Sequence, residues 1–146
     1  MNDTPQLTDL CVFCGIINHD VPATVVYEDI RVLAFLDAAP ATDGHTLVVP
    51  KKHARDLLSV SPEDLAAVAT ASQAVARLLA DQLRPDGFTV FQANGQAGWQ
   101  DVFHVHFHVV PRWIGDPLRL PWKSERASRE HIATIAARLT LPPTHS

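Results

Sequence analysis

The chain has little of what most specialised soluble classes need. It holds only 2 cysteines, 1 methionine and 1 tyrosine in 146 residues. A small secreted scaffold held by disulfides carries more cysteine than this, so Cys11 and Cys14, spaced C-x-x-C, are read as a reduced thiol pair or as metal donors. No apolar run approaches the ~20 residues of a membrane-spanning helix. Residues 1–10 lack both a basic start and an apolar stretch, so no secretory leader and a cytoplasmic place are expected. Positive charge is not in excess: 12 Lys+Arg against 16 Asp+Glu give a net charge of -4. That excludes the broad basic coat of a nonspecific nucleic-acid binder, and an anionic partner would have to be met by a local site. No repeat or low-complexity tract is present.

What remains describes one soluble domain. The mean hydropathy is +0.03 and 47% of residues are hydrophobic. A chain of this size buries roughly two thirds of its unfolded surface and needs no staples. Alternation and β-branched runs predict strands over 24–28, 32–36, 46–50, 87–93 and 103–111, the first two joined by a turn at 29–31. A long helix is expected from Ser61 as N-cap, with Pro62, Glu63 and Asp64 in its first turn. Leu65, Val68, Ser72, Val75 and Leu79 recur at helical spacing, and Pro85 with Gly87 stops the pattern. A second helix is expected from about Ser128, with Ile132, Ile135, Ala136 and Leu139 on one face and Pro142 and Pro143 ending it. Both helices are read as core. The pattern is that of an α+β domain with a mainly antiparallel sheet, spanning 1–146, with 113–146 as a connection and terminal helix.

Histidine is the anomaly, with 8 in an acidic chain. Phe103-His104-Val105-His106-Phe107-His108-Val109-Val110 reads as a strand, so His104, His106 and His108 are expected on one face, with Phe103, Val105, Phe107 and Val109 on the core face. Burying three imidazoles without partners costs roughly 1–3 kcal/mol for each. Two chemistries suit such a row. One is a metal site, limited by geometry because His104 and His108 start ~13 Å apart on a strand. The other is a phosphate site in which one neutral imidazole attacks phosphorus and its neighbours hold the oxygens.

The segment HVHFHVV (104–110) resembles the motif of the histidine triad (HIT) family. Further segments agree in order: Phe13, Ile16 and Ile17 after the first cysteine, Tyr27-Glu28-Asp29, Ala34-Phe35-Leu36-Asp37, Gly44 to His53, and Asn94-Gly95 with Gly98-Trp99-Gln100. The match spans 11–112 and points to the branch of small nucleoside phosphoramidases and dinucleoside polyphosphate hydrolases. It implies a HIT fold with a five-stranded antiparallel sheet, dimerising with a second copy into a continuous sheet. It further implies a nucleotide hydrolase or nucleotidyl transferase working through a nucleotidyl-histidine on His106, with His108 and His45 at the phosphate. The substrate implied is a purine nucleotide, adenosine-containing by expectation. Asp37 resembles the ribose-binding carboxylate, and Phe13, Ile16, Phe35 and Leu36 the apolar base cleft. Asn94, Gln100, Asp101 and Val102 match phosphate-loop positions. The resemblance also implies a structural zinc on Cys11, Cys14, His53 and His104, a closed Cys2His2 set.

Two positions depart from the family pattern. Trp99 stands where several members have a small residue, and Asp101 where some have serine near the leaving group. Readings of other classes stay open beside the hydrolase: a nucleotide-binding regulatory module with little turnover, or a metal-dependent hydrolase using the triad as ligands. Lys51, Lys52 and Arg112 are candidates to raise the local potential for phosphate or to form a solvated face. His19, His131 and His145 carry no expected role.

Overall fold

The computed structural model describes residues 11–139, in two units that divide after Asp116. Pro142, Pro143 and His145 lie outside the described residues. The first unit contains α1 (Val12–Ile17), β1 (Val25–Glu28), β2 (Val32–Leu36), β3 (Thr46–Pro50), α2 (Pro62–Leu83), β4 (Gly87–Gln92) and β5 (Phe107–Arg112). The strands form one antiparallel sheet in the order β1-β2-β3-β5-β4. This is the expected five-stranded α+β fold.

Alternation along the strands separates two cores. Val32, Ala34, Val48 and Val109 face α2 and meet Val68, Ala71, Val75 and Leu79. Burial of such a side chain contributes roughly 1.5–3 kcal/mol. Their sequence neighbours Leu33, Phe35, Leu47 and Val49 point to the opposite face and meet Phe13 and Ile16 of α1. The helix α2 begins as expected, with the Ser61 hydroxyl accepting from the Asp64 N–H at 3.1 Å. Asp64 in turn holds Arg31 at 2.9 Å, which ties the helix start to the β1–β2 turn. It ends on Arg84, whose φ of 50° is left-handed, just before Pro85.

Two readings of the sequence need correction. The strand β5 starts at Phe107, so His104 and His106 both lie in an irregular approach and only His108 of the three stands on the strand itself. β3 pairs with β5 only through Thr46–Val109, Leu47–His108 and Val48–Phe107, and the Val105 N–H goes instead to the Ala54 carbonyl at 2.7 Å. The ladder therefore stops before the alternation does. Phe103, expected in the core, is 39% exposed.

The second unit holds α3 (Arg129–Ala136), capped by Ser128, whose hydroxyl accepts from the His131 N–H at 3.1 Å. Its apolar stripe was expected to be core. Ile132, Ile135 and Leu139 are instead 57%, 38% and 72% exposed. The described residues 117–139 contain no other helix or strand for that stripe to meet. Among the described residues, no helix is long and apolar enough to cross a membrane.

Candidate active site and metal centre

The hairpin of β2 and β3 sets the first two site residues. Leu36 pairs with Thr46, so Asp37 and His45 follow and precede the paired ends side by side. The Asp37 N–H donates to the His45 carbonyl at 2.9 Å. Gly44 allows this closure: its φ is +85°, and a Cβ there would stand 2.5 Å from Leu83 Cδ1.

Hydrogen bonds fix where the ring protons sit. The Ala41 N–H donates to His45 Nδ1 at 3.0 Å, so the His45 proton is on Nε2. That Nε2–H donates to His108 Nδ1 at 2.9 Å, which leaves the His108 proton on its own Nε2. Asp37 Oδ2 stands 3.6 Å from His45 Nε2. Burial lowers the His45 pKa against the pull of Asp37. Burial, with help from His106 and His45, holds His108 at about 4. Both rings are therefore neutral near pH 7. Asp37, His45 and His108 present donor atoms within 4.8 Å of one another. The proton on His45 Nε2 nevertheless blocks the lone pair that a metal would need there, while Ala41 keeps Nδ1 engaged. This proton order speaks against Asp37, His45 and His108 acting together as a metal-ligand set.

His106 is 3% exposed, and its Nδ1 stands 2.7 Å from the backbone carbonyl of His104. A carbonyl only accepts, so Nδ1 carries the proton and Nε2 keeps its lone pair. That Nε2 lies 3.7 Å from Asp101 Oδ1, whose side chain is 80% exposed. The ring is held by Phe13, edge-on at 5.1 Å between centroids, and lies 4.8 Å from His108. Phe91 of β4 stacks on His108 at 4.0 Å and 8°. Sequence reading missed Phe91. Its role follows from the Phe91–His108 register, which only the assembled sheet supplies.

The other expected residues divide by what their polar groups already do. Phe13, Ile16 and Phe35 are buried in one apolar cluster with Val102 packed against it, while Leu36, half-buried at the end of β2, is not part of that cluster. Gln100 is 4% exposed and fully engaged. Its Oε1 accepts from the Gly95 N–H at 2.8 Å, and its Nε2 donates to the carbonyls of Arg55 and Val102. Asn94 Oδ1 accepts from the Leu57 N–H at 2.7 Å and from Gln92. These two side chains shape the loop over 94–102, rather than reaching out of it. Trp99 sits on that loop, left-handed at φ 70° and 60% exposed. Lys51 pairs with Glu28 and Arg112 with Asp116, each at 2.7 Å, so both cations are already engaged. Arg55 was not singled out in the sequence; its guanidinium lies 4.5 Å above the Phe103 ring.

Cys11, Cys14, His53 and His104 form a four-donor cluster able to hold a metal ion. Cys11 caps α1, with its Sγ accepting from the Cys14 N–H at 3.4 Å. His53 follows β3, and His104 precedes β5. The donor separations are 3.5 Å for Cys11 Sγ–His104 Nδ1, 3.4 Å for Cys14 Sγ–His53 Nδ1, 3.6 Å for Cys14 Sγ–His104 Nδ1 and 3.1 Å for His53 Nδ1–His104 Nδ1. A tetrahedral zinc has N–N edges of about 3.3 Å and N–S edges of about 3.6 Å. The donor set fits that ion. The protonation fits as well: His104 Nε2–H donates to the Pro50 carbonyl at 2.8 Å, leaving Nδ1 bare toward the sulfurs. Burial holds His104 at about 4 and, with Cys11, pushes the Cys14 thiol up to about 11. A bound cation reverses the cysteine's preference and draws off its proton.

Fold and site together define an α+β protein with a histidine cleft beside a Cys2His2 centre. Residues 18–113 match the model of the HIT domain, and the chain belongs to the HIT family. A HIT-like protein of Methanocaldococcus jannaschii is 45% identical over 107 residues, covering 73% of this chain and 82% of the relative. The crystal structure of a HIT family protein from Bacillus anthracis superposes with a TM-score of 0.82 at 37% identity, over 89% of this chain and 94% of that one. A zinc-bound histidine triad family protein from Mycobacterium smegmatis gives a TM-score of 0.74 at 39% identity, over 90% and 99%. The C-x-x-C branch expected from the sequence suits the cluster around Cys11 and Cys14.

Proposed function

We propose that the chain is a nucleotide hydrolase and nucleotidyl transferase acting at the α-phosphorus of a nucleoside phosphoramidate, ester or dinucleoside polyphosphate. The observation that carries this reading is the 2.7 Å contact of His106 Nδ1 with the His104 carbonyl, which puts the ring's lone pair on Nε2, the attacking atom. In the first step the Nε2–P bond forms and the bond to the leaving group breaks. Water then attacks phosphorus, the P–N bond breaks, and a nucleoside monophosphate leaves. The proton on His108 Nε2, held there by His45, is offered to a phosphate oxygen as charge builds. Asp37 accepts from the ribose hydroxyls. Phe13, Ile16, Phe35 and Leu36 form the apolar floor for a purine base, adenine by preference. The loop carrying Asn94, Gln100, Asp101 and Val102 presents the phosphate side.

Cys11, Cys14, His53 and His104 hold a structural zinc, a reading supported by the donor separations and by the zinc-bound relative. Zinc bound there supplies a fixed tetrahedral anchor, and the chain's own residues do the chemistry. A second copy pairs through β4, a free sheet edge where Thr89, Val90 and Phe91 are exposed. A cytoplasmic location suits the two free cysteines. The test is intact-mass analysis after mixing with an adenosine phosphoramidate, with tandem mass spectrometry locating the adduct. An adenylylated His106 and released AMP support the reading, and turnover without any adduct under rapid quench removes it.

A further inference from the structure

His104 belongs to two arrangements at once. Its ring closes the cluster with Cys11, Cys14 and His53, and its backbone carbonyl accepts the ring proton of His106. α1 supplies a second link. Phe13 lies between the two cysteines in sequence and sets its ring edge on both His106 and His104, at 5.1 and 6.0 Å between centroids. The cysteines therefore hold in place both the acceptor that fixes the His106 tautomer and the ring that fixes its face. The cluster is also reachable. Cys11 and His53 line an open cavity of about 410 Å³ that Arg55, Asp101 and Phe103 complete. Both cysteines are free, Cys11 is only half-buried, and the two sulfurs lie within 4.8 Å of each other.

We propose that Cys11 and Cys14 are a redox-modification site, where a hydroperoxide forms a reversible disulfide that withdraws both sulfurs from His104 and slows turnover at His106. The effect on turnover rests on the function proposed above; the thiol chemistry does not. The Cys11 sulfur attacks a peroxide oxygen, the O–O bond breaks, and Cys11 becomes a sulfenic acid as one water leaves. The Cys14 sulfur displaces that hydroxyl, the S–S bond forms, and a second water leaves. Two thiols and one hydrogen peroxide give one disulfide and two waters, the sulfurs being oxidised and the peroxide reduced. A disulfide sets the sulfurs about 2.05 Å apart, too close for both to remain vertices of a tetrahedral metal site. A divalent ion held there by two thiolates would be released as they are oxidised, two solvent protons then completing the two waters. His104 then loses both sulfur contacts and keeps those to Pro50 and His53, and the chain from 103 to 106 is left with Phe13 as its tie to α1.

The test treats the full chain, as purified with its metal, with hydrogen peroxide and follows three signals that need no substrate. These are the mass of the Cys11–Cys14 peptide, metal released to a chromophoric chelator, and the 15N resonances of the His106 ring. The expected result is loss of two hydrogens from the peptide, metal release in step with it, and loss of the fixed Nδ1–H tautomer pattern. Dithiothreitol with added zinc restores all three, so no variant that might misfold is needed. Turnover of an adenosine phosphoramidate is expected to fall at least about tenfold on oxidation and to return on reduction. If no Cys11–Cys14 disulfide forms, or if it forms while the His106 resonances and turnover stay unchanged, the inference is overturned. If the protein never turns over nucleotide yet the three signals respond, the redox site stands and the hydrolase reading falls.

Discussion

His106 donates its Nδ1 proton to the backbone carbonyl of His104 across 2.7 Å. The two residues are separated by Val105, which is itself buried and anchored by its N–H to Ala54. The tautomer of the proposed nucleophile is thus set by backbone that is itself tied to Ala54. Replacing His106 by alanine removes the lone pair at Nε2 and leaves the surrounding loops in place. Release of nucleoside monophosphate is expected to fall by on the order of 10³-fold or more, with the covalent adduct lost altogether. Single-turnover quench measurements check this, and a variant that keeps the parental rate would remove His106 as nucleophile.

Metal content offers a separate check on the Cys2His2 centre. Protein purified without chelator is expected to carry about one zinc per chain, measured by elemental analysis. Removing it leaves a buried Cys14 thiol, pushed up to about 11, beside a neutral His104. The melting temperature then falls, because α1 loses its tie to the loops before β5 and after β3. Rebinding must expel thiol protons, so metal affinity weakens as pH falls. Calorimetry in buffers of different ionisation enthalpy reads that proton release directly. A chain that stays metal-free, with both thiols reduced and an unchanged melting temperature on adding zinc, would contradict the assignment.

The sequence made α2 legible because local signals agreed: a serine cap, proline in the first turn, acidic residues after it, and a 3.6-residue stripe that the sheet then buried. It made the family legible for a different reason, since the motif over 104–110 is distinctive. The misplaced residues failed on tertiary grounds. Alternation continues through Phe103 and His104, but the strand pairing that turns alternation into a sheet face begins only at Phe107. The stripe of α3 has helical spacing and no opposing element among the described residues 117–139. The six residues of α1 are too few to show a period, and their cap is a cysteine, outside the usual Ser, Thr, Asp and Asn. Gln100 and Asn94 carry the right polar groups for a phosphate loop, yet only the assembled structure shows those groups engaged by Gly95, Arg55 and Leu57.

Stability should depend on pH through the buried histidines of the cleft. His108 titrates at about 4 in the native protein against 6.5 ordinarily, and His45 is lowered as well, each chiefly by burial. Between about 4 and 6.5 the unfolded chain therefore binds more protons than the native one. By linkage, the free energy of unfolding rises with pH across that window. The contribution is fully present above 6.5, is lost as pH falls toward 4, and is level below it. Denaturant midpoints measured from pH 7 to pH 4 should fall, and His108→Gln should flatten part of the slope. An equal slope in parent and variant would show that His108 does not carry the effect.

Under the proposed hydrolase function, Asp101 is expected to bear on the choice of leaving group. Its Oδ1 accepts from the Val102 N–H at 2.8 Å and stands 3.7 Å from His106 Nε2, so a carboxylate lies beside the proposed nucleophile. A leaving group that carries further phosphates brings its own negative charge within a Debye length of that carboxylate, about 10 Å at 0.1 M salt. A neutral or cationic amine does not. Asp101 is 80% exposed, so water and salt screen most of the repulsion and the effect on rate is modest. Replacement of Asp101 by asparagine keeps the size and an acceptor for the Val102 N–H while removing the charge. It should raise kcat/KM for a dinucleoside polyphosphate about three- to tenfold relative to an adenosine phosphoramidate. The gain should shrink as ionic strength rises, because the parental penalty is itself electrostatic. If the ratio of the two substrates stays the same in parent and variant at low salt, the carboxylate does not choose the leaving group, and Trp99 on the same loop becomes the residue to vary.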